Sequence, residues 1–281
     1  WVDGIHTIVN VPSDATLLPS LADIVVPSQT LLYLTDWRQH AYDVSYPDYT
    51  PHGGEASFIS AAHALGFKVM LHLDLIGVSP GHADYPSMQP YQVKTPESLD
   101  LMGWQWDRAA STPTRFAFIS PASAAYRTLF IARVAAGISG LGADAVHLDI
   151  SAPMYNDGNG LIEGRTYPQG SAQLHQDLIN ALPNLALGGE GENDIVYRYH
   201  SFAQAWWLSG AWQGHPIATF LFGPQVQYYG HLSQPYAREG AFKDYLLQME
   251  RRAMLPMLKV ADASDLSPAE PDNARLFAIL Q

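Results

Sequence analysis

The sequence has no cysteine. That excludes disulfides and thiolate metal sites, and it leaves the compartment open. Positive charge is scarce too: 15 Lys and Arg stand against 27 Asp and Glu, a formal net charge of −12. The basic residues are scattered rather than clustered, so neither nucleic acid nor an anionic membrane surface is an expected partner. No apolar run reaches the roughly 18 residues that a spanning helix needs. A G-x-G-x-x-G turn is missing as well. The nearest stretch, "GGEGEN", lacks the third glycine and carries two acids, which argues against a doubly wound nucleotide fold. There is no initiating Met and no signal-peptide pattern. Because "WVDGIHTIVNV" starts at Trp1 almost inside a strand, the expectation is a piece processed or excised from a longer chain, whose localisation these residues do not reveal.

What the sequence does have is apolar and aromatic content, 47% and 11% of its 281 residues. That is too much for disorder. Apolar, β-branched runs alternate with amphipathic segments. Strands are predicted over 4–11, 29–37, 68–74, 144–150, 184–193, 202–208, 215–223 and 274–280. Helices are predicted over 55–67, 120–143, 171–182 and 238–258. In the first helix Phe58, Ala61, Ala62 and Leu65 share one face. In the second, Ser120 is the expected N-cap with Pro121 at the first position. Continuous apolar strands separated by helices describe a parallel sheet covered on both faces. Eight of them close most simply as a barrel, and such barrels reach ~250 residues in one domain. The expected architecture is therefore α/β, a single (β/α)8 TIM barrel over residues 1–281 with long loops at its C-terminal face.

In such barrels the working site lies at the C-terminal ends of the strands. Asp36, Trp37 and Arg38 end the second predicted strand there. The tripeptide His-Leu-Asp ends both the third (His72, Asp74) and the fourth (His147, Asp149). Glu190 and Glu192 follow on the fifth, and His215 precedes the seventh. Any one of these acids could cap a helix or pair with an arginine, and the histidines could be hydrogen-bonded barrel residues. Asp149 and Glu190 together point further, because two acids on neighbouring strand ends suit the cleavage of an acetal. That reaction needs one carboxyl to protonate the leaving oxygen and one to meet the oxocarbenium-like carbon. Adjacent parallel strands lie ~4.8 Å apart, which permits the ~5–5.5 Å separation of retaining glycosidases. Glu192 competes with Glu190: on a continuing pleat both face one side, whereas a bulge at Gly191 separates them. Glu190 is preferred as the nearer to the strand end. Tryptophans at 104, 106, 206, 207 and 212 offer flat faces for a pyranose, those in the long loop, Trp104 and Trp106, above all. Tyr155 belongs to the loop after Asp149 and is expected to shape the same pocket.

The blocks "LLYLTDWRQHAYDVSYPDYTP", "FAFISPASAAYRTLF", "LGADAVHLDIS" and "LALGGEGEN" resemble a family of bacterial glycoside hydrolases with barrel catalytic domains, over most of residues 1–230. More distantly, an Asp ending strand four and a Glu ending strand five is similar to the α-amylase superfamily and to enzymes acting on α-linked N-acetylgalactosamine. The resemblance implies Asp149 as nucleophile and Glu190 as general acid/base. Apart from the resemblance, Asp36, His72, Asp74 and His147 are expected to hold sugar hydroxyls, with Trp37, Arg38 and His215 among the same substrate contacts. The chain departs from the α-amylase pattern in two places. His147 stands where an arginine is expected, and His215 has no Asp beside it.

Two other readings use the same residues. A metal-dependent barrel hydrolase would take ligands from His6, His72, Asp74, His147, Asp149 and His215, yet the strand-one His-x-His pair is missing, since Thr7 and Ile8 follow His6. A carbohydrate-binding barrel without activity would keep the aromatics. "YNDGNGLIEG" fails as a calcium loop: with Gly160 at the turn, Tyr155 takes the place of the first Asp and Thr166 that of the bidentate Glu. The expected partner is a carbohydrate, with no cofactor and no metal.

Overall fold

The computed structural model describes residues 1–105, 114–205, 217–231, 249–251, 253–269 and 271–280. Eight parallel strands close into a barrel. In chain order they are β1 (Thr7–Asn10), β2 (Thr30–Leu34), β3 (Lys68–Asp74), β7 (Ala145–Asp149), β8 (Ala186–Glu190), β9 (Phe202–Ala205), β10 (Gln227–His231) and β11 (Leu255–Lys259), with β11 pairing back onto β1. Between β3 and β7 three short strands, β4 (Gly77–Val78), β5 (Gly103–Trp104) and β6 (Phe116–Phe118), form a small antiparallel sheet. No helix among the described residues is long and apolar enough to cross a membrane.

Strand periodicity divides the core in two. Val69, Leu71 and Leu73 of β3, with Val146 and Leu148 of β7, face outward into the layer beneath the helices. The alternate residues face inward, where Ile8, Leu31, Tyr33, Met70, Ala145, Phe202, Tyr229 and Met257 fill the barrel. Burial on both faces explains why these strands read as unbroken apolar runs.

The helices start where local chemistry dictates. Glu55–Leu65 ends at Gly66, whose φ of +100° suits a residue without a Cβ. Ala124–Ile138 begins three residues later than expected: Ser123, not Ser120, is the cap, accepting from the Tyr126 N–H at 3.3 Å. Tyr167–Ala181 begins earlier than expected, because Thr166 and Gln169 make a reciprocal capping box ahead of it.

The last two expected strands are displaced. The described part of 215–223 is helical, Ile217–Phe222, and the seventh barrel strand is β10. Residues 274–280 belong to the helix Pro271–Leu280, where Asn273, Phe277 and Leu280 repeat the buried face at helical spacing. The eighth strand is β11, inside the segment expected to end a helix. Pro256 bars a helix interior there. Residues 238–248 and 252 of that expected helix lie outside the described residues.

Candidate active site

The repeated His-Leu-Asp is a consequence of register. β3 and β7 are parallel neighbours in which His72 pairs with His147 and Asp74 with Asp149. Residues two apart on a strand share a face, so the interior is layered: Met70 and Ala145, then the two histidines, then the two aspartates at the mouth. His147 pairs in turn with Gly188 of β8, which puts Glu190 level with Asp149.

The histidine layer is closed and uncharged. The Tyr33 hydroxyl meets His72 Nδ1 at 2.7 Å, and the Tyr229 hydroxyl meets His147 Nδ1 at 2.9 Å. The two imidazoles stack at 5.6 Å between centroids. Burial lowers the pKa of His72 to about 3, and burial, reinforced by His72, lowers that of His147. The free nitrogen of His72 lies 3.6 Å from Asp149 Oδ2, beyond hydrogen-bond length.

Above it sit the acids. Ile150, at φ +57°, turns the chain so that its N–H points at both carboxyls, 3.1 Å from Asp149 Oδ1 and 2.9 Å from Glu190 Oε2. The two side chains are within hydrogen-bonding reach of each other, and burial followed by the Glu190 charge raises the Asp149 pKa. Ser151 Oγ accepts from the Glu190 N–H at 2.9 Å and fixes the end of β8. Asp74 is wholly buried. Its Oδ1 accepts from the main-chain N–H groups of Ile76 and Gly77, while Oδ2 has no partner. Burial, then the charge of Asp43, raises its pKa to about 8.

Glu192 does not join this group. Gly191 adopts φ +76°, and Glu192 turns away to meet His200 Nδ1 at 2.6 Å, both side chains fully enclosed. Burial raises Glu192 to about 8 and lowers His200 to about 3, so the two meet as neutral partners. Two of the expected sugar contacts take other work. Trp37 is wholly buried and donates its indole N–H to the His72 carbonyl at 2.8 Å. Arg38 is buried too, lies 4.1 Å over the Tyr46 ring, and donates to the carbonyls of Ala41, Val44 and Asp48. Both are occupied in shaping the loop after β2 and offer no surface to a sugar. Asp36 is exposed at the foot of that loop. Tyr155 is half-buried, stacked on Phe118 at 5.7 Å, and raised to about 12 by burial and the charges of Asp74 and Glu190. Trp106, Trp206 and His215 lie outside the described residues.

Four contributors escaped the sequence reading. Tyr33 and Tyr229 face inward, and their hydroxyls meet the histidines beneath the acids, which only the folded barrel reveals. Tyr42 and Asp43 come from the long loop after β2. The Tyr42 hydroxyl lies 3.5 Å from Asp149 Oδ2. Asp43 is buried at φ +60°, and its burial raises its pKa to about 6 despite the nearby Trp104 indole and Arg115 charge. A polar, aromatic loop following a barrel strand was the available signal. Among the described residues no group of three or more His, Asp or Glu has the geometry to hold a metal ion.

No family's sequence profile matches the chain, and no curated protein matches it in sequence. Solved structures do match in fold. An α-N-acetylgalactosaminidase from Bifidobacterium bifidum superposes with a TM-score of 0.68 at 15% identity, covering 99% of this chain and 50% of its own. An α-galactosidase from Lactobacillus brevis gives 0.60 at 16% identity, over 97% of this chain and 40% of its own. A GH36 α-galactosidase from Geobacillus stearothermophilus, solved with raffinose, gives 0.65 at 12%, over 98% and 41%. The chain therefore spans half or less of the length of these neighbours, and what it shares with them is the closed (β/α)8 barrel.

Proposed function

We propose that this chain is a retaining glycoside hydrolase acting on an α-linked oligo- or polysaccharide, with Asp149 as nucleophile and Glu190 as general acid/base. The observation that carries the reading is the meeting of these two carboxyls at the ends of adjacent strands, on the single N–H of Ile150. The fold neighbours, named for α-galactosides and α-N-acetylgalactosaminides, favour the α-linkage.

Asp149 attacks the anomeric carbon through one carboxylate oxygen as the glycosidic C–O bond breaks, and the departing oxygen takes the proton of Glu190. Glu190 then removes a proton from the incoming water, whose oxygen displaces Asp149. The two carboxyls share the Ile150 donor, so the scissile bond enters as they part. The neutral histidines beneath cannot quench either acid by forming a salt link. Asp36 and Tyr155 are left to take hydroxyls, since Asp74 is as fully enclosed as Trp37, and Trp104 supplies an aromatic wall beside Asp43.

The test is hydrolysis of 4-nitrophenyl α-glycosides by wild type and Asp149→Asn, with the first-formed anomer read by proton NMR. The expected outcome is a loss of at least about 10³-fold in kcat in the variant, an unchanged circular-dichroism spectrum, and retention of the α-anomer in wild type. Comparable turnover in the variant sinks the assignment, and an inverted product sinks the retaining mechanism.

A further inference from the structure

Glu190 is the last residue of β8, half-buried, and shares the barrel mouth with Asp149. The residue before it, Gly189, faces the other side of the strand. A Cβ there would collide with His200 Cε1 and lie 2.6 Å from both His200 Nδ1 and Ser151 Oγ. The imidazole of His200 and the hydroxyl of Ser151 therefore stand where a side chain on Gly189 would be. Ser151 Oγ in turn accepts the Glu190 N–H at 2.9 Å.

The His200 ring is held in that place from two sides. Glu192 Oε1 meets its Nδ1 at 2.6 Å, with both side chains fully enclosed. His175, of the helix Tyr167–Ala181, lies 5.0 Å away between ring centroids, and its own Nδ1 donates to the Ser171 carbonyl at 2.7 Å. Gly191 joins the acid to this brace: its N–H donates to the Gln204 carbonyl at 2.8 Å, and its φ of +76° carries Glu192 round to the ring. A carboxyl and an imidazole cost more to enclose than aliphatic side chains of the same size. What they add is direction, because a hydrogen bond fixes the plane of the ring and the path of the chain beside it.

We propose that Glu192 and His200 are positioning residues for Glu190, bracing the end of β8 from behind so that its carboxyl stays aimed at the glycosidic oxygen. This rests on the glycosidase reading above and adds two residues to its proton-transfer step. Neither touches the sugar, so binding is left to other groups. A catalytic group displaced by about 1 Å loses on the order of 10²-fold in rate, and such groups keep their aim through packed, hydrogen-bonded neighbours.

The experiment measures kcat and KM for wild type, Glu192→Ala and Glu192→Gln on the 4-nitrophenyl α-glycoside that wild type hydrolyses and on the methyl α-glycoside of the same sugar. In Glu192→Ala the expected kcat loss is about 10²-fold on the methyl glycoside and under about tenfold on the aryl glycoside, whose leaving group needs little protonation. KM is expected to stay within about threefold on both, because ground-state binding is untouched. Glu192→Gln, which keeps an uncharged hydrogen-bonding partner for His200 Nδ1, is expected to recover most of the loss. Equal losses on the two substrates are what a purely structural brace would give; they, or an unchanged kcat, overturn the inference and leave the glycosidase reading standing. Where Glu192→Ala does not fold, Glu192→Asp, which draws the carboxyl back by one methylene, is read by the same criterion. If wild type hydrolyses no α-glycoside, the glycosidase reading has failed, and the Ile150 amide resonance of 15N-isoleucine-labelled protein decides this one. Moved in Glu192→Ala the same way as in Glu190→Ala, it supports the brace; unmoved, it overturns it.

Discussion

Asp74 is placed where a carboxyl works against the stability of the barrel, and Asp74→Asn should expose the size of that conflict. The side chain is wholly buried, and burial with the nearby Asp43 charge raises its pKa from 3.8 to about 8. A folded-state pKa above the unfolded value means that the native state holds the proton longer. The stabilisation is fully present below pH 3.8 and is lost as pH rises toward 8. At 1.36 kcal/mol per pH unit, wild type forfeits roughly 3 kcal/mol between pH 5 and pH 7.5. Asparagine keeps the oxygen that accepts from Ile76 and Gly77 but has no proton to lose. Any fixed cost of its amide is the same at both pH values. At about 2–4 °C per kcal/mol, the melting temperature of Asp74→Asn minus that of wild type should be ~6–12 °C more favourable at pH 7.5 than at pH 5. Differential scanning calorimetry on both proteins at the two pH values reads it directly. A difference independent of pH, or one that turns against the variant at pH 7.5, refutes the account of Asp74 as a protonated buried acid.

Glu190→Gln should lose glycosides with poor leaving groups far more than activated aryl glycosides, because only the former need its proton. Azide should restore turnover by capturing the glycosyl-enzyme, with a glycosyl azide visible by mass spectrometry. The raised proton affinity of Asp149 should place the acid limb of kcat/KM above the ordinary aspartate range near ~4, with activity rising as the nucleophile ionises. A limb at or below that range, in a pH–rate profile, contradicts the proposed role. Gly170→Ala should lower thermal stability by ~1–3 kcal/mol, since its Cβ would lie 2.2 Å from the Ala122 main-chain nitrogen. A melt unchanged from wild type would mean that the helix is free to shift.

The barrel was legible where strands are buried on both faces and bounded by helices. β3, β7 and β8 announced themselves as apolar runs ending in acids, and the position of Asp149 and Glu190 followed from the barrel rule. β11 was hidden because an apolar run beside a helical pattern takes its state from its neighbours, although Pro256 argued against a helix. β10, with its paired tyrosines, lacks the aliphatic run that marks a strand. Within the site, residues fixed by one strand's own period were readable, and those fixed by pairing between strands were not. Tyr33 and Tyr229 are in the second class. Trp37 and Arg38 show the reverse error: residue types suited to sugars, spent on holding a loop. The direction of Glu192 depended on the left-handed turn at Gly191, which the sequence allowed but did not require.

The tyrosine-capped histidine layer means that the acids are insulated from behind. Below them lie neutral imidazoles and then Met70, Ala145 and Met257, none of which ferries a proton at neutral pH. Among the described residues, the approach to the acids is from the mouth, where Tyr42 lies 3.5 Å from Asp149 and the charge of Asp43 acts on it. The loop between β2 and the helix Glu55–Leu65 thus governs how fast the site can recharge as well as what it admits. Homologous barrels that exchange this loop would be expected to change pH optimum and substrate together.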